Sequence, residues 1–157
     1  MNFKFAPDRA RQFKALVRAY SDKRSLALPV LHLAQEQEGY LSYGTIAALA
    51  GLLEIPPAEL MDTMSFYTMF YRRPGGKYRL QVCQTLSCSL AGADQVVDHI
   101  SNKYGLKVGE NSDDGKFTPM KVECLGSCGT APVVQINDDY YEKMTTDKVD
   151  RVLDKLS

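Results

Sequence analysis

The sequence lacks the features that mark several broad classes of protein. Its 157 residues carry 19 basic and 19 acidic side chains, so no net charge draws the chain to nucleic acid or to an anionic membrane surface. No apolar run approaches the roughly 20 residues of a membrane-spanning helix. The start, MNFKFAPDRARQFK, has neither the basic nor the apolar segment of a secretion signal. These absences predict a protein of a reducing, cytoplasmic compartment with no targeting peptide, no membrane span and no nucleic-acid partner.

Motifs for nucleotide binding and for catalysis are also missing. There is no GxGxxG after a predicted strand and no GxxxxGK followed by Ser or Thr, the glycine-rich loops that cradle phosphate groups. The sequence contains no convincing nucleophile or acid–base constellation either. We therefore expect no substrate-converting site in this chain.

Residues 1–74 have the pattern of a helical bundle. An amphipathic first helix is predicted by four apolar residues at helical spacing, with three basic residues on the opposite, solvent-facing side. These residues are Phe13, Leu16, Val17 and Tyr20, against Arg11, Lys14 and Arg18. Three more helices are predicted: one over residues 25–38 that stops at Gly39, one capped by Ser42, and one that opens at Pro56 and Pro57.

Residues 75–157 alternate between strand and helix patterns. After a Pro-Gly-Gly break at 74–76, one predicted strand ends at Cys83, and FTPMKVEC predicts another that also ends in a cysteine. A hairpin turning at residues 137–139 and a closing helix complete the order βα, β, ββα. The helix between the first two strands is predicted from an apolar face of Leu90, Ala93, Val97, Ile100 and Tyr104. We therefore predict an α+β fold, with an N-terminal helical bundle (1–74) followed by a small mixed-sheet domain (75–157).

Four cysteines, all in the second half, are the candidate functional residues. They form a C-x4-C pair and a C-x3-C pair with 35 residues between them: Cys83, Cys88, Cys124 and Cys128. In a reducing compartment, clustered thiols more often bind metal or carry redox chemistry than form stable disulfides. Both pairs lie in predicted loops after strands, so two strand ends of one sheet could bring the sulfurs together. Soft sulfur donors favour zinc or an iron–sulfur cluster.

Several kinds of sulfur site are excluded by residues that are missing. A plant-type ferredoxin needs a third cysteine where Leu90 or Ala91 stands, and a Rieske centre needs two histidines beside the cysteines. His32 and His99 fall inside helical patterns and are interpreted as structural. A thiol–disulfide exchanger would need C-x-x-C. A structural zinc site and a [2Fe–2S] cluster are both compatible with the remaining pattern.

Glycines interleave the second cysteine pair. Gly126 and Gly129 would allow backbone N–H groups to approach a negatively charged cluster closely. Plain turn geometry explains the same glycines equally well. The spacing of the cysteines and their loops favour a cluster over zinc without excluding zinc.

Beyond the cysteines, long stretches of the sequence resemble one known family. The family is that of the small thioredoxin-like [2Fe–2S] subunits of NADH:quinone oxidoreductase, respiratory complex I, which are designated E in bacteria. The similar segments are VCQTLSC, VECLGSCGTAPVVQIN, LPVLHLAQEQEGYLS, IPPAEL, FYTMFYRRPGGKY and DDYYEKMTTDKVDRVLDKL, which together extend over nearly the whole chain. The resemblance implies a thioredoxin-like core for residues 75–157. It also implies one [2Fe–2S] cluster, with Cys83 and Cys88 on one iron and Cys124 and Cys128 on the other.

The resemblance further implies a place in an electron-transfer complex. In this family a larger flavoprotein partner holds FMN and oxidises NADH, and the small subunit's cluster exchanges an electron with the flavin. The chain would then be an oxidoreductase subunit on the cytoplasmic side, peripheral to the inner membrane. The stretch SFYTMFYRR at 65–73, together with the N-terminal helices, is a candidate contact with that partner, because the residue types of this stretch are enriched at interfaces. Phe66 and Phe70 fit a core between helices and sheet at least as well.

Two other functions stay open at the level of the sequence. The same electron-transfer module serves as the small subunit of NAD-linked hydrogenases and formate dehydrogenases. A zinc-stabilised interaction module without a redox role would use the same four thiols. The sequence also leaves open whether the isolated chain forms a homodimer.

Overall fold

The computed structural model describes residues 3–156 and divides them into two compact units. The division falls between Pro74 and Gly75, and each unit has its own hydrophobic core. The predicted α+β class is confirmed, since the helices come first and the sheet follows. Within residues 3–156, no helix is both long and apolar enough to cross a membrane.

The first unit is built of helices whose ends follow local sequence signals. Its α-helices are α1 (Pro7–Ala19), α2 (Ala27–Glu38), α3 (Tyr43–Leu53) and α4 (Pro57–Phe66), and a 3-10 turn at Lys23–Leu26 precedes α2. Ser42 Oγ accepts a hydrogen bond from the N–H of Thr45 at 3.1 Å and so caps α3. Gly39 ends α2 in the left-handed conformation, with φ 77°. The predicted start of α2 at Ser25 was two residues early, because the 3-10 turn occupies that stretch.

The predicted apolar face of α1 is only partly covered. Phe13 and Leu16 pack against the core of the first unit. Val17 is 40% exposed, and Tyr20 is 42% exposed and lies beyond the last residue of the helix. The prediction is wrong for these two residues, because helical spacing identifies a shared face but not how far a neighbour covers it.

The aromatic stretch at residues 65–73 divides between core and surface. Phe70 is buried in the core of the first unit, whereas Phe66 is 80% exposed. Tyr67 packs partly against the same core. Phe70 is therefore a core residue, but its core is formed by the helical unit rather than between helices and sheet, and the core interpretation is wrong for Phe66.

The second unit is a four-stranded mixed sheet with helices. Its elements are β1 (Tyr78–Cys83), α5 (Leu86–Leu90), α6 (Ala93–Tyr104), β2 (Phe117–Val122), β3 (Val134–Ile136), β4 (Asp139–Tyr141) and α7 (Thr146–Leu156). The strand order is β2-β1-β3-β4, with β1 parallel to β2 and antiparallel to β3. β2 is an edge strand and tolerates Pro119, which cannot donate a backbone hydrogen bond. The mixed sheet predicted from the order of elements is confirmed.

The single helix predicted after β1 is in fact two helices. α5 ends at Leu90, and α6 begins at Ala93 after a turn through Gly92. Leu90 is 80% exposed, whereas Val97 and Ile100 are buried in the core as predicted. Leu90 therefore does not belong to the buried face of α6, although its spacing in the sequence matches that face.

Candidate metal centre

Both cysteine pairs lie at one edge of the sheet. β1 and β2 are neighbouring parallel strands with Cys83 opposite Val122, so their carboxyl ends meet at the same edge. Cys83 is the last residue of β1, and Cys124 follows the end of β2 by two residues. The predicted convergence of two strand ends is confirmed.

The first pair is buried. Cys83 and Cys88 are 1% and 2% exposed. Against the effect of burial, which raises both pKa values, the backbone of Leu125 lowers the pKa of Cys83, and that of Val133 lowers the pKa of Cys88. Cys88 lies in the short helix α5 rather than in the predicted loop. The fold thus holds both sulfurs away from water.

The second pair is exposed. The Sγ atoms of Cys124 and Cys128 are 3.5 Å apart, and both residues reach solvent. The N–H of Gly126 donates to Cys124 Sγ at 3.4 Å. Gly126 has φ 82°, a conformation that favours glycine because other residues carry a Cβ that clashes there. The predicted approach of a loop N–H to a sulfur is therefore confirmed at Gly126, which also makes the turn.

The surroundings of each sulfur shift the pKa of its thiol. Burial raises the pKa of Cys83, but hydrogen bonds, first among them that of Thr85, outweigh it and leave the pKa below its ordinary value. Burial and the neighbouring Cys83 raise the pKa of Cys88. A backbone N–H lowers the pKa of Cys124, and the adjoining Cys124 sulfur raises the pKa of Cys128. Each pair thus contains one thiol with a lowered pKa and one with a raised pKa.

The loop that carries the exposed pair is tied to the strand β4. Glu142, directly after β4, accepts hydrogen bonds from Ser127 Oγ at 2.5 Å and from Thr130 Oγ1 at 2.8 Å. These two hydroxyls hold the pKa of Glu142 below its usual range. Tyr140 in β4 donates its hydroxyl proton to the carbonyl of Leu125 at 2.8 Å. The loop is therefore held from the side of β4 as well as from β2.

Sequence reasoning missed two residues of this site. Thr85 lies inside VCQTLSC, and its position between two cysteines was a signal that could have identified it. Glu142 lies far along the chain from Ser127, and only the folding back of the β3–β4 hairpin brings the two together.

Both histidines have structural partners, as predicted. The His32 ring lies 4.9 Å from the Phe70 ring in the first unit. In the second unit, His99 Nε2 lies 2.7 Å from Asp150 Oδ1. These contacts account for both side chains within the packing of their own units.

The donor set fits a sulfur-ligated cluster with two irons. Four free thiols come as a buried pair and an exposed pair at the shared end of β1 and β2, and a [2Fe–2S] cluster takes two cysteines on each iron. Backbone N–H groups directed at the sulfurs stabilise the negative charge that such a cluster carries.

Comparisons with known proteins agree with this donor set. Residues 13–157 match the protein family described as thioredoxin-like [2Fe–2S] ferredoxin. The chain is 42% identical over 158 residues to the NADH-quinone oxidoreductase subunit designated E from Rickettsia conorii, covering 99% of this chain and 95% of that protein. It is 44% identical over 124 residues to NADH-quinone oxidoreductase subunit 2 of Thermus thermophilus, covering 79% of this chain and 68% of that protein.

Solved structures share the fold. The chain superposes with a TM-score of 0.70 on crystal structures of NAD+-reducing [NiFe]-hydrogenase in the air-oxidized and H2-reduced states, at 23% identity. The match covers 83% of this chain and 22% of the hydrogenase chain. This chain therefore spans about a fifth of the length of that hydrogenase chain, and the likeness is one of fold.

Proposed function

Because the chain belongs to the family of thioredoxin-like [2Fe–2S] ferredoxins, we propose that its four cysteines hold one [2Fe–2S] cluster. Cys83 and Cys88 bind one iron, and Cys124 and Cys128 bind the other. The observation that carries the proposal is the pairing of four free thiols at the shared end of β1 and β2. The cluster supplies one-electron redox chemistry when it is bound.

The two cysteine pairs give the site one side that is closed to water and one side that is open to it. The burial of Cys83 and Cys88 keeps water from one side of the site. The exposed pair, Cys124 and Cys128, opens the other side to an approaching partner. The N–H of Gly126, directed at Cys124, stabilises the added negative charge of the reduced state. An electron therefore enters and leaves most readily from the side of the exposed loop.

The chain serves as the electron-transfer subunit of an NADH–quinone oxidoreductase. Full-length similarity to the Rickettsia conorii protein supports this role. The partner of the chain is a flavoprotein that holds FMN and oxidises NADH. The [2Fe–2S] cluster of the chain would exchange an electron with this FMN. In the assembled enzyme it lies on the cytoplasmic side, peripheral to the inner membrane. The likeness to the hydrogenase is one of fold alone, at 23% identity. It therefore supports a role in a hydrogenase less strongly than the full-length similarity supports a role in an NADH–quinone oxidoreductase.

Iron and sulfide analysis tests the cofactor. The purified chain should be reddish-brown, contain about two irons and two acid-labile sulfides per chain, and bleach when reduced with dithionite. A colourless protein with stoichiometric zinc would establish the zinc-stabilised interaction module instead.

Co-purification tests the partner surface. Phe66 is 80% exposed at the end of α4 and belongs to the aromatic stretch proposed to contact the flavoprotein. Phe66→Ala should reduce recovery of the flavoprotein with the tagged chain, whereas Tyr43→Ala, which alters a 72% exposed aromatic residue on α3, should not. Equal recovery with both variants would contradict a role for the 65–73 stretch. Tyr67 and Tyr71 are less suitable targets, since both are partly buried.

A further inference from the structure

The hydroxyl of Thr85 lies against the first cysteine pair. Its Oγ1 is 3.1 Å from the Sγ of Cys83, the last residue of β1. Cys83 is buried, at 1% exposed. The side chain of Thr85 therefore contacts a sulfur that water does not reach.

The side chain of Thr85 does not cap α5, although Thr85 stands at the capping position of that helix. It is the residue immediately before α5, with an extended backbone at φ −76° and ψ 166°. A threonine there ordinarily accepts a hydrogen bond from the first turn of the helix. In the described residues, the Thr85 hydroxyl accepts no hydrogen bond from an N–H group of α5. The hydroxyl contacts the sulfur of Cys83 instead.

Ligation fixes the direction of the hydrogen bond. Between a thiol and a hydroxyl either atom can donate, but a cysteine that binds metal is a thiolate and has no proton to give. The Thr85 hydroxyl must then be the donor. Hydrogen bonds to an ionised acceptor are roughly twice as strong as those between neutral groups.

Such a donor favours the reduced state of a cluster. Reduction adds one negative charge to the cluster and its sulfurs, and hydrogen bonds to the sulfurs are among the factors that set the potential. A donor stabilises the more negative state more than the less negative one. Removing it should therefore lower the reduction potential.

We propose that Thr85 is a positioning residue that donates its hydroxyl proton to the sulfur of Cys83 and thereby raises the reduction potential of the cluster. This inference rests on the proposed function, since it requires a [2Fe–2S] cluster at the four cysteines. Unlike the backbone donors, Thr85 can be removed by substitution.

Redox titration of the full-length chain with its cluster tests the proposal. Thr85→Val keeps the shape and removes the hydroxyl, whereas Thr85→Ser keeps the hydroxyl and removes the methyl group. The midpoint potential, followed by the paramagnetic signal of the reduced cluster, should fall in the Val variant and stay near the parent value in the Ser variant. Ser87→Ala removes an exposed hydroxyl from α5 and should leave the potential unchanged.

The outcomes separate this proposal from the proposed function. A Val variant with the parent potential, or Val and Ser variants shifted equally, would overturn the role of the hydroxyl. If the Val variant does not assemble, Thr85→Ala provides a second hydroxyl-free chain. Loss of the cluster in both, with retention in Thr85→Ser, would support the role of the hydroxyl in positioning the ligands. A parent chain without iron and sulfide would instead refute the proposed function itself.

Discussion

At the scale of single residues, the four cysteines are chemically alike but differ in environment. Cys83 and Cys88 are nearly inaccessible to water, whereas Cys124 and Cys128 are exposed. An ionised oxygen is costly to bury. The two pairs should therefore differ in how well they tolerate the replacement of sulfur by oxygen.

Serine substitution is expected to affect every proposed ligand, but unequally. Serine at Cys83 or Cys88 should abolish the cluster, because a buried alkoxide ligand is strongly disfavoured. Serine at Cys124 or Cys128 should retain part of the iron and shift the paramagnetic signal. Iron content and electron paramagnetic resonance measure the difference, with Ser87→Ala as the control. Unchanged spectra in all four variants would show that the ligands are other residues.

Glu142 is expected to slow the loss of the cluster. Its carboxylate accepts hydrogen bonds from Ser127 and Thr130 on the loop of the exposed cysteines. Glu142→Gln keeps an acceptor but loses the charge, and Glu142→Ala removes both. Bleaching by a chelator at neutral pH should therefore be slowest in the parent, faster in the Gln variant and fastest in the Ala variant. Identical rates in the three chains would mean that this contact does not stabilise the loop around the cluster.

At the scale of secondary structure, α6 and α7 are joined by a polar cluster beside the core of the second unit. Asp150 on α7 lies 2.8 Å from Lys103 Nζ and 2.7 Å from His99 Nε2, and it accepts a hydrogen bond from the Tyr104 hydroxyl at 2.9 Å. These three partners lie on α6. Lys103 first, and then His99, hold the pKa of Asp150 well below its usual range.

The Asp150 contacts should stabilise the second unit in a pH-dependent manner. A carboxylate whose pKa is lowered on folding stabilises the fold above its unfolded pKa, about 3.9, and this stabilisation is lost as the pH falls through the folded value. Asp150→Asn should therefore unfold more easily than the parent at neutral pH, and the two stabilities should converge below about pH 4. Asp98→Asn, on the exposed side of α6, provides the charge-matched control. Denaturant unfolding at several pH values measures the effect, and a constant difference down to about pH 2 would contradict it.

At the scale of the whole molecule, each unit has the core that independent stability requires. The first core is formed by apolar residues of the helices, including Leu49 in α3. The second core is formed by apolar residues around the sheet, including Leu80 in β1. Both leucines are 1% exposed or less. We propose that residues 1–74 and 75–157 are separate domains, of which the second carries the cluster.

Core substitutions test this division, with the visible absorption of the cluster as a reporter on the second domain. Leu49→Ala and Leu80→Ala should each cost about 2–5 kcal/mol in the domain that contains them. Heating the Leu49→Ala chain should melt helical signal early while the cluster absorption persists. Heating the Leu80→Ala chain should bleach the cluster early. Simultaneous loss of both signals in both variants would show that the chain unfolds as a single unit.

Local interactions made much of this structure predictable. Ser42 caps a helix, Gly39 ends one and Pro57 opens one, because each effect depends on a few neighbouring backbone groups. The strand alternation leading to Cys83 and the spacing of the cysteine pairs likewise depend on short stretches of chain. From these features alone, the sequence determined the candidate sulfur site and the order of helices and strands, apart from the division of one predicted helix into α5 and α6.

Contacts between distant residues were decided only by the tertiary structure. Helical spacing could not show that Phe66 and Leu90 are exposed, because a repeat defines a face without specifying what covers it. Nor could it show that Glu142 holds Ser127, since this contact depends on how β3 and β4 pair. The sequence by itself determined which sulfurs are available, and the pairing of β1 with β2 and the return of β4 decided which groups surround them, because hydrogen bonding to a sulfur requires proximity in space.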